Sequence, residues 1–246
     1  MTGQSLSLPP ASKQLTYPAW RRERVSGYEW QFHIILDYWP IFVRGAWTTL
    51  KLTFASTLLG LVIGLPAGIL RQSKIRWLRA PVSLYVEVIR ATPALVQIVW
   101  IYYCFPILFG LQMGAETTIV IALGIHTGAY VAEIVRAGIN AVDAGQFMAA
   151  KSIGMSGAKT LRRIILPQAG QKMIPPFINE FANIMKLSTL ASTIAVYELL
   201  QESNNLIATV YRPLEVYTFL AVVFFCITYP WIWLSQRYEA RLRRRA

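Results

Sequence analysis

From about residue 45 onward the chain alternates long apolar runs with short polar breaks. A helix needs roughly 20 predominantly apolar residues to cross a bilayer. Runs at about 45–70, 82–109, 117–136, 173–196 and 214–235 meet that length. The pattern predicts an all-α integral membrane protein with about five transmembrane helices. In the first run Gly60, Gly64 and Gly68 recur at a spacing of four, a small-residue stripe that admits a second helix at close range. Pro66 beside the stripe predicts a bend. The stretch from Trp30 to Phe42 is rich in aromatics and interrupted by Asp37 and Pro40, so it reads as an interfacial segment and not as a sixth crossing. The expected division is a tail and interfacial segment over 1–44, a membrane domain over 45–235 and a basic cytoplasmic tail over 236–246.

Composition agrees with this class. Of the 246 residues 55% are hydrophobic and 15% charged, against about a quarter charged in soluble domains. The net charge of +12 would suit nucleic acid, but the cations flank apolar runs and do not line one amphipathic face, so no nucleic-acid partner is expected. Arg71, Lys74, Arg76 and Arg79 occupy one loop, and Lys151, Lys159, Arg162, Arg163 and Lys172 another. Arg237, Arg241, Arg243, Arg244 and Arg245 form the tail. The alternate loops hold almost no cations, with Arg212 alone in 197–213. The positive-inside rule places the three basic segments in the cytoplasm and the N-terminus outside. Arg21, Arg22 and Arg24 oppose this orientation from well before the first run. The first thirty residues lack the apolar core of a signal peptide and read as a polar tail. Cys104 and Cys226 each lie in an apolar run and are expected to pack, not to pair.

The loop from Asp143 to Pro167, DAGQFMAAKSIGMSGAKTLRRIILP, carries a helical grammar. Asp143 caps a helix start, and Gln146 can reach back to complete a capping box. Phe147, Met148, Ala149 and Ala150 give that helix an apolar, small-residue face. Gly154 suits the left-handed position that ends it. Ser156 caps a second short helix, which Pro167 closes. Two short helices on a glycine elbow form a plug for a partner's groove, or an ordinary cytoplasmic loop. The pattern in Gly145, Gln146, Ala149, Ala150, Gly154, Leu166 and Pro167 resembles the coupling (EAA) loop of ABC importer permeases. The resemblance implies that this loop docks onto a separate ATPase subunit. Met148 stands where that family usually has glutamate, which leaves docking to shape and apolar contact.

Ionisable groups inside spans are costly and often functional. Glu87 and Arg90 are three apart, share a helix face and can neutralise each other; Gln97 continues that face, and Thr92-Pro93 disturbs the backbone between them. These groups line a path or gate, or snorkel near the interface. The stretch resembles the Arg-x-Thr-Pro signature of the polar-amino-acid branch of the permeases. Glu133 and Arg136, also three apart, read as an interface ion pair, and His126 as a hydrogen-bonded core residue. Asn179, Asn183 and Lys186 share a face, with Glu180 to one side. Such groups line a cavity or a helix contact, since lipid cannot satisfy them. The run Lys186 to Leu190 resembles the family's Lys-x-Thr-Ser-Leu element, with Ser188 and Thr189 in swapped order.

GMSGAKT, from Gly154 to Thr160, is not a phosphate loop, because Ala158 and Ile153 stand where glycines are required. Zincin, clustered Cys/His and GxSxG patterns are absent from the sequence, so no catalytic, metal or cofactor site is expected in this chain. The resemblance, spanning about Gly45 to Leu234, implies the permease subunit of an ATP-driven importer for polar amino acids or related zwitterions. It further implies a bacterial inner-membrane location, a second permease subunit, ATPase subunits that bind the ATP and magnesium, and an extracytoplasmic solute-binding protein. A channel or secondary transporter working without an ATPase is the alternative reading.

Overall fold

The computed structural model describes residues 28–244, so the calls on the 1–27 tail and on Arg245 lie outside the described residues. Among the described residues the architecture is helical throughout: α1 (His33–Asp37), α2 (Trp39–Leu70), α3 (Arg76–Ala91), α4 (Ala94–Val99), α5 (Phe105–Phe109), α6 (Ala115–Asn140), α7 (Ala144–Ser152), α8 (Gly157–Thr160), α9 (Leu166–Leu187), α10 (Leu199–Val210) and α11 (Pro213–Arg243).

Helices α2 and α6 form the centre and run parallel, since residues 51, 60, 64 and 68 of α2, and 72 just past its end, meet residues 116, 127, 131, 135 and 140 of α6 in the same order. A Cβ added at Gly60 would sit 2.5 Å from the Thr127 side chain. At Gly64 it would meet the Gly128 carbonyl and Val131 at 2.5 Å, and at Gly68 Val135 at 2.5 Å. Gly124 and Gly128 of α6 receive Leu59 and Ile63 of α2 in return. The expected glycine stripe is therefore the contact face itself. Helix α2 starts at Trp39, earlier than the expected 45, because Pro40 sits in the first turn, where its missing N–H has no helical partner to lose. Pro66 stays inside the continuous helix.

The second expected span is not a straight helix. It breaks after Ala91 and bends by 107° between α3 and α4. Pro93 has no N–H and drives Thr92 into an extended conformation (φ −111°, ψ 142°). Among the described residues α2, α6 and α11 are long and apolar enough to cross a membrane, and a fourth crossing results if the bent pair counts as one. Helix α9 spans roughly 33 Å at 1.5 Å per residue. Gln168, Lys172, Asn179, Glu180, Asn183 and Lys186 make it too polar for that class. It begins at 166, not 173, and ends at Leu187, after which Ser188–Ile194 tightens to a 3-10 helix. The expected count of five thus stands at three or four by apolarity.

Two π turns precede prolines. Trp100–Cys104 leads into Phe105-Pro106, and Leu161–Ile165 into Leu166-Pro167. Each proline would press on the carbonyl four residues back, and the wider π turn relieves that clash. Pro167 therefore does not close the second short helix, as expected from sequence, but sits in the first turn of α9.

The basic segments gather at one end. Gln72 Nε2 donates to Asn140 Oδ1 at 3.2 Å, Lys172 Nζ to the Ala141 carbonyl at 2.5 Å, and Ser235 Oγ to the Pro175 carbonyl at 3.1 Å. Residues 28–38 lie at the opposite end. There Tyr28 donates to Glu215, and the Gln31 N–H donates to Glu215 Oε1 at 3.1 Å. Arg212 lies over the Tyr28 ring at 5.5 Å. Glu198 caps α10 there, accepting from the Leu200 and Gln201 N–H groups at 2.8 Å each. Lys51 and Glu116 pair at 2.7 Å toward this end.

Gly64→Ala should lower the unfolding midpoint in detergent, since forced overpacking costs about 1–3 kcal/mol. Gly170→Ala is the control, because a Cβ there meets nothing within 4 Å and alanine favours a helix by about 1 kcal/mol. Equal midpoints for the two variants would contradict the close α2–α6 contact.

Candidate functional site

The loop after α6 takes the expected form in part. Asp143 caps α7, accepting from the Gly145 N–H at 2.6 Å. Gly154 adopts φ +75° and turns the chain toward α8. The capping box does not form: Gln146 Oε1 accepts from Gln168 Nε2 at 3.3 Å, which ties α7 to α9 instead. Ser156 holds the cap position of α8 without a side-chain cap bond. The apolar face is divided. Ala150 is buried, whereas Phe147, Met148 and Ile153 are 40%, 65% and 74% exposed, and Ala149 and Pro167 are exposed as well. An apolar patch at the basic end of the bundle thus faces outward from the chain.

Above the loop, one carboxylate gathers three guanidinium groups. Glu133 of α6 pairs with Arg71, which caps the end of α2, at 2.6 Å, with Arg136 of α6 at 2.5 Å and with Arg90 of α3 at 3.6 Å. The Glu133–Arg136 pair is as expected. Glu87 and Arg90 do not neutralise each other: exposed Glu87 approaches Arg71 at 3.9 Å, and Arg90 turns to Glu133. Sequence spacing reveals pairs within one helix only, so the role of Arg71 was not visible in it.

A cavity of about 380 Å³ adjoins this cluster, lined by Arg90, Thr92, Pro93, His126, Tyr130 and Asn183 among others. Arg90 lies over the Tyr130 ring at 5.4 Å, and the His126 ring packs against the same ring at 4.9 Å, tilted by 33°. His126 is buried and bonds Gln97 through Nδ1 at 3.1 Å, the hydrogen-bonded core role expected for it. Of the predicted α9 face only Asn183 reaches this cavity; Asn179 and Lys186 are on the exposed surface of the chain. Lys186 forms no ion pair with Glu180 or Glu87 among the described residues. Glu180 points elsewhere. Its Oε1 is buried without a hydrogen-bond partner, and it lines a separate recess of about 170 Å³ with Thr57 and Phe181. Sequence reasoning missed Thr92 and Tyr130 as lining residues. The four-residue spacing of His126 and Tyr130 on one helix face was the available signal.

No group of three or more His, Cys, Asp or Glu side chains placed to hold a metal occurs among the described residues. Cys104 and Cys226 are free thiols. Polar groups inside a helical membrane bundle, a cavity at a broken helix and an apolar loop at the basic end define a membrane transport component.

The comparisons agree. Residues 57–244 match the family described as binding-protein-dependent transport system inner membrane component, and the chain belongs to that family. It is 38% identical over 209 residues to the L-cystine transport system permease protein TcyB of Bacillus subtilis (strain 168), covering 85% of this chain and 89% of that protein. It is 35% identical over 206 residues to the glutamine transport system permease protein GlnP of Escherichia coli (strain K12), covering 83% and 94%. Among solved structures, an amino acid ABC transporter with histidines superposes with a TM-score of 0.82 at 38% identity, covering 87% of this chain and all (100%) of that one. The MetNI methionine ABC transporter in an inward-facing conformation, at 22% identity and TM-score 0.70 over 83% and 97%, shares the fold.

Glu133→Gln removes the charge that three arginines share. The carboxylate is 22% exposed, so the loss should be roughly 1–3 kcal/mol, below that of a fully buried pair. Thermal unfolding in detergent checks this, and a parental midpoint would contradict the cluster's role.

Proposed function

We propose that this chain is the membrane subunit of an ATP-driven importer for polar amino acids or related small zwitterions. The observation that carries the reading is the cavity at the helix break, where the Arg90 guanidinium, the Thr92 hydroxyl, His126, Tyr130 and Asn183 converge on one opening between α3, α4, α6 and α9. A guanidinium suits a carboxylate, and the remaining groups suit an ammonium or polar side chain. The relatives, which are named for cystine and glutamine transport, support the same substrate class.

In this reading the chain pairs with a second permease subunit, itself or a paralogue, and receives solute from an extracytoplasmic binding protein. The 143–167 loop docks a separate ATPase subunit, which binds the ATP and magnesium. Gly145, Gln146 and Gly154 shape the loop, while Phe147, Met148, Ala149 and Ile153 supply its contact surface. The apolar exposure of Met148 fits a docking face that lacks the usual glutamate. The basic end faces the cytoplasm, which puts residues 28–38 outside and the C-terminus inside. ATP-driven movement of the docked partner then rocks the packed helices and opens the cavity to alternate sides.

Ala149→Trp adds bulk to an exposed position and leaves the interior intact. It should insert normally yet lose retained ATPase, because overpacking the contact costs about 1–3 kcal/mol, roughly thirtyfold in affinity at the middle of that range. Pull-down of the complex from membranes measures this, and full ATPase retention with parental uptake would overturn the docking assignment. For the path, Asn183→Ala should raise the apparent Km of uptake by roughly tenfold or more, since removing one hydrogen bond to a charged group costs about 1.5–3 kcal/mol. If Lys186 instead gates the path, Lys186→Met should raise ATPase activity in the absence of solute. Parental kinetics in both variants would return this face to helix packing.

A further inference from the structure

The break between α3 and α4 leaves the last carbonyls of α3 without helical partners, because Pro93 has no N–H to offer and the chain turns away. Two side chains fill that role. Gln97, in the first turns of α4, donates from Nε2 to the Ile89 carbonyl at 2.8 Å, the Thr92 carbonyl at 3.1 Å and Thr92 Oγ1 at 2.8 Å. The Thr92 hydroxyl in turn donates back to the Val88 carbonyl at 3.0 Å.

These bonds fix the orientation of the amide. With the Gln97 N–H groups committed to α3, Oε1 points away from it and meets His126 Nδ1 at 3.1 Å. An amide oxygen accepts only, so Nδ1 carries the proton. His126 packs on Tyr130, and Tyr130 lies under the guanidinium of Arg90, which belongs to α3. The contacts therefore close a ring: from the end of α3 through Gln97 to His126 and Tyr130 of α6, and back to α3 through Arg90. Arg90, Thr92, His126 and Tyr130 are also walls of the cavity at the break.

We propose that Gln97 and His126 are positioning residues that lock the bend of the broken helix to α6, so that the cavity wall follows α6 when it moves. The proposal rests on the reading of that cavity as part of the translocation path. Neither residue needs to touch solute for this role. Without Gln97 the Thr92 carbonyl loses its side-chain donor, the Ile89 carbonyl keeps only the longer bond from the Thr92 hydroxyl at 3.3 Å, and the bend loses its fixed angle.

The test reads the bend directly. In the assembled transporter, with Cys104→Ser and Cys226→Ser as background, spin labels go on Trp77→Cys and Ile107→Cys. These positions lie on the two arms and are 89% and 83% exposed within the chain. Labelled subunits are diluted with unlabelled ones, so each complex reports one pair. Pulsed electron paramagnetic resonance should give one narrow distance for the parent and a broadened, displaced distribution for both Gln97→Leu and His126→Phe. His126→Gln, whose amide N–H can again donate to Gln97, should restore the narrow distribution. Unchanged narrow distributions in Gln97→Leu and His126→Phe would overturn the proposal, as would a His126→Gln no better than His126→Phe. Uptake is measured in parallel, and maximal uptake by Gln97→Leu should fall roughly tenfold, the size expected when part-buried carbonyls lose their donor. A changed distance with parental uptake would support the joint and contradict the translocation-path reading, which separates the two claims.

Discussion

Helices α2 and α6 approach backbone to backbone because Gly60, Gly64 and Gly68 place no side chain between them and the Thr127 to Val135 stretch. Lipid supplies no hydrophobic force to drive such a contact, so close packing must hold it. The rest of the bundle is referred to this pair. It brings Arg71 at the end of α2 beside Glu133, and so lets one carboxylate tie α2, α3 and α6 together. It also fixes the face of α6 that carries His126 and Tyr130, against which the broken helix folds.

The same helix leads into the loop. Helix α6 ends at Asn140, Lys172 of α9 caps its Ala141 carbonyl, and α7 starts directly after the Asp143 cap. Gln146 and Gln168 add a second tie between α7 and α9. In the proposed reading, a partner docked on α7 would act on α6 and α9 without an intervening flexible linker. Since α6 carries the cavity's His126 and Tyr130 and α9 its Asn183, force at the loop would then reach the polar groups through rigid elements. Membership in the binding-protein-dependent transport family is consistent with such a device.

Local rules explain which features the sequence made legible. The glycine stripe, the Asp143 cap, the left-handed Gly154 and the Glu133–Arg136 pair each depend on residues a few positions apart. Pattern and propensity reach that far. The features that escaped depend on contacts between distant elements. Gln146 accepts from Gln168 of α9, twenty-two residues away in sequence, and not within its own helix start. Pro167 looked like a helix stop, but a π turn let the helix continue through it. Thr92-Pro93 signalled a disturbance, yet its 107° bend is held by Gln97 of α4, which donates to the α3 carbonyls and meets His126 of α6. Asn179 and Lys186 share a face with Asn183 by periodicity, and only the packing of α9 decided that Asn183 alone meets the cavity.

Alternating exposure of the cavity is the central claim, and cysteine accessibility tests it most directly. Ala94→Cys, a cavity-lining position, is placed in a chain with Cys104→Ser and Cys226→Ser, assembled with its ATPase and binding protein in sealed vesicles. A membrane-impermeant thiol reagent is then applied from each side in turn. The account predicts labelling from the cytoplasmic side without nucleotide, and loss of that labelling with gain from the opposite side when ATP is bound to a hydrolysis-deficient ATPase. Labelling from one side at the same rate, whatever the nucleotide, would contradict it.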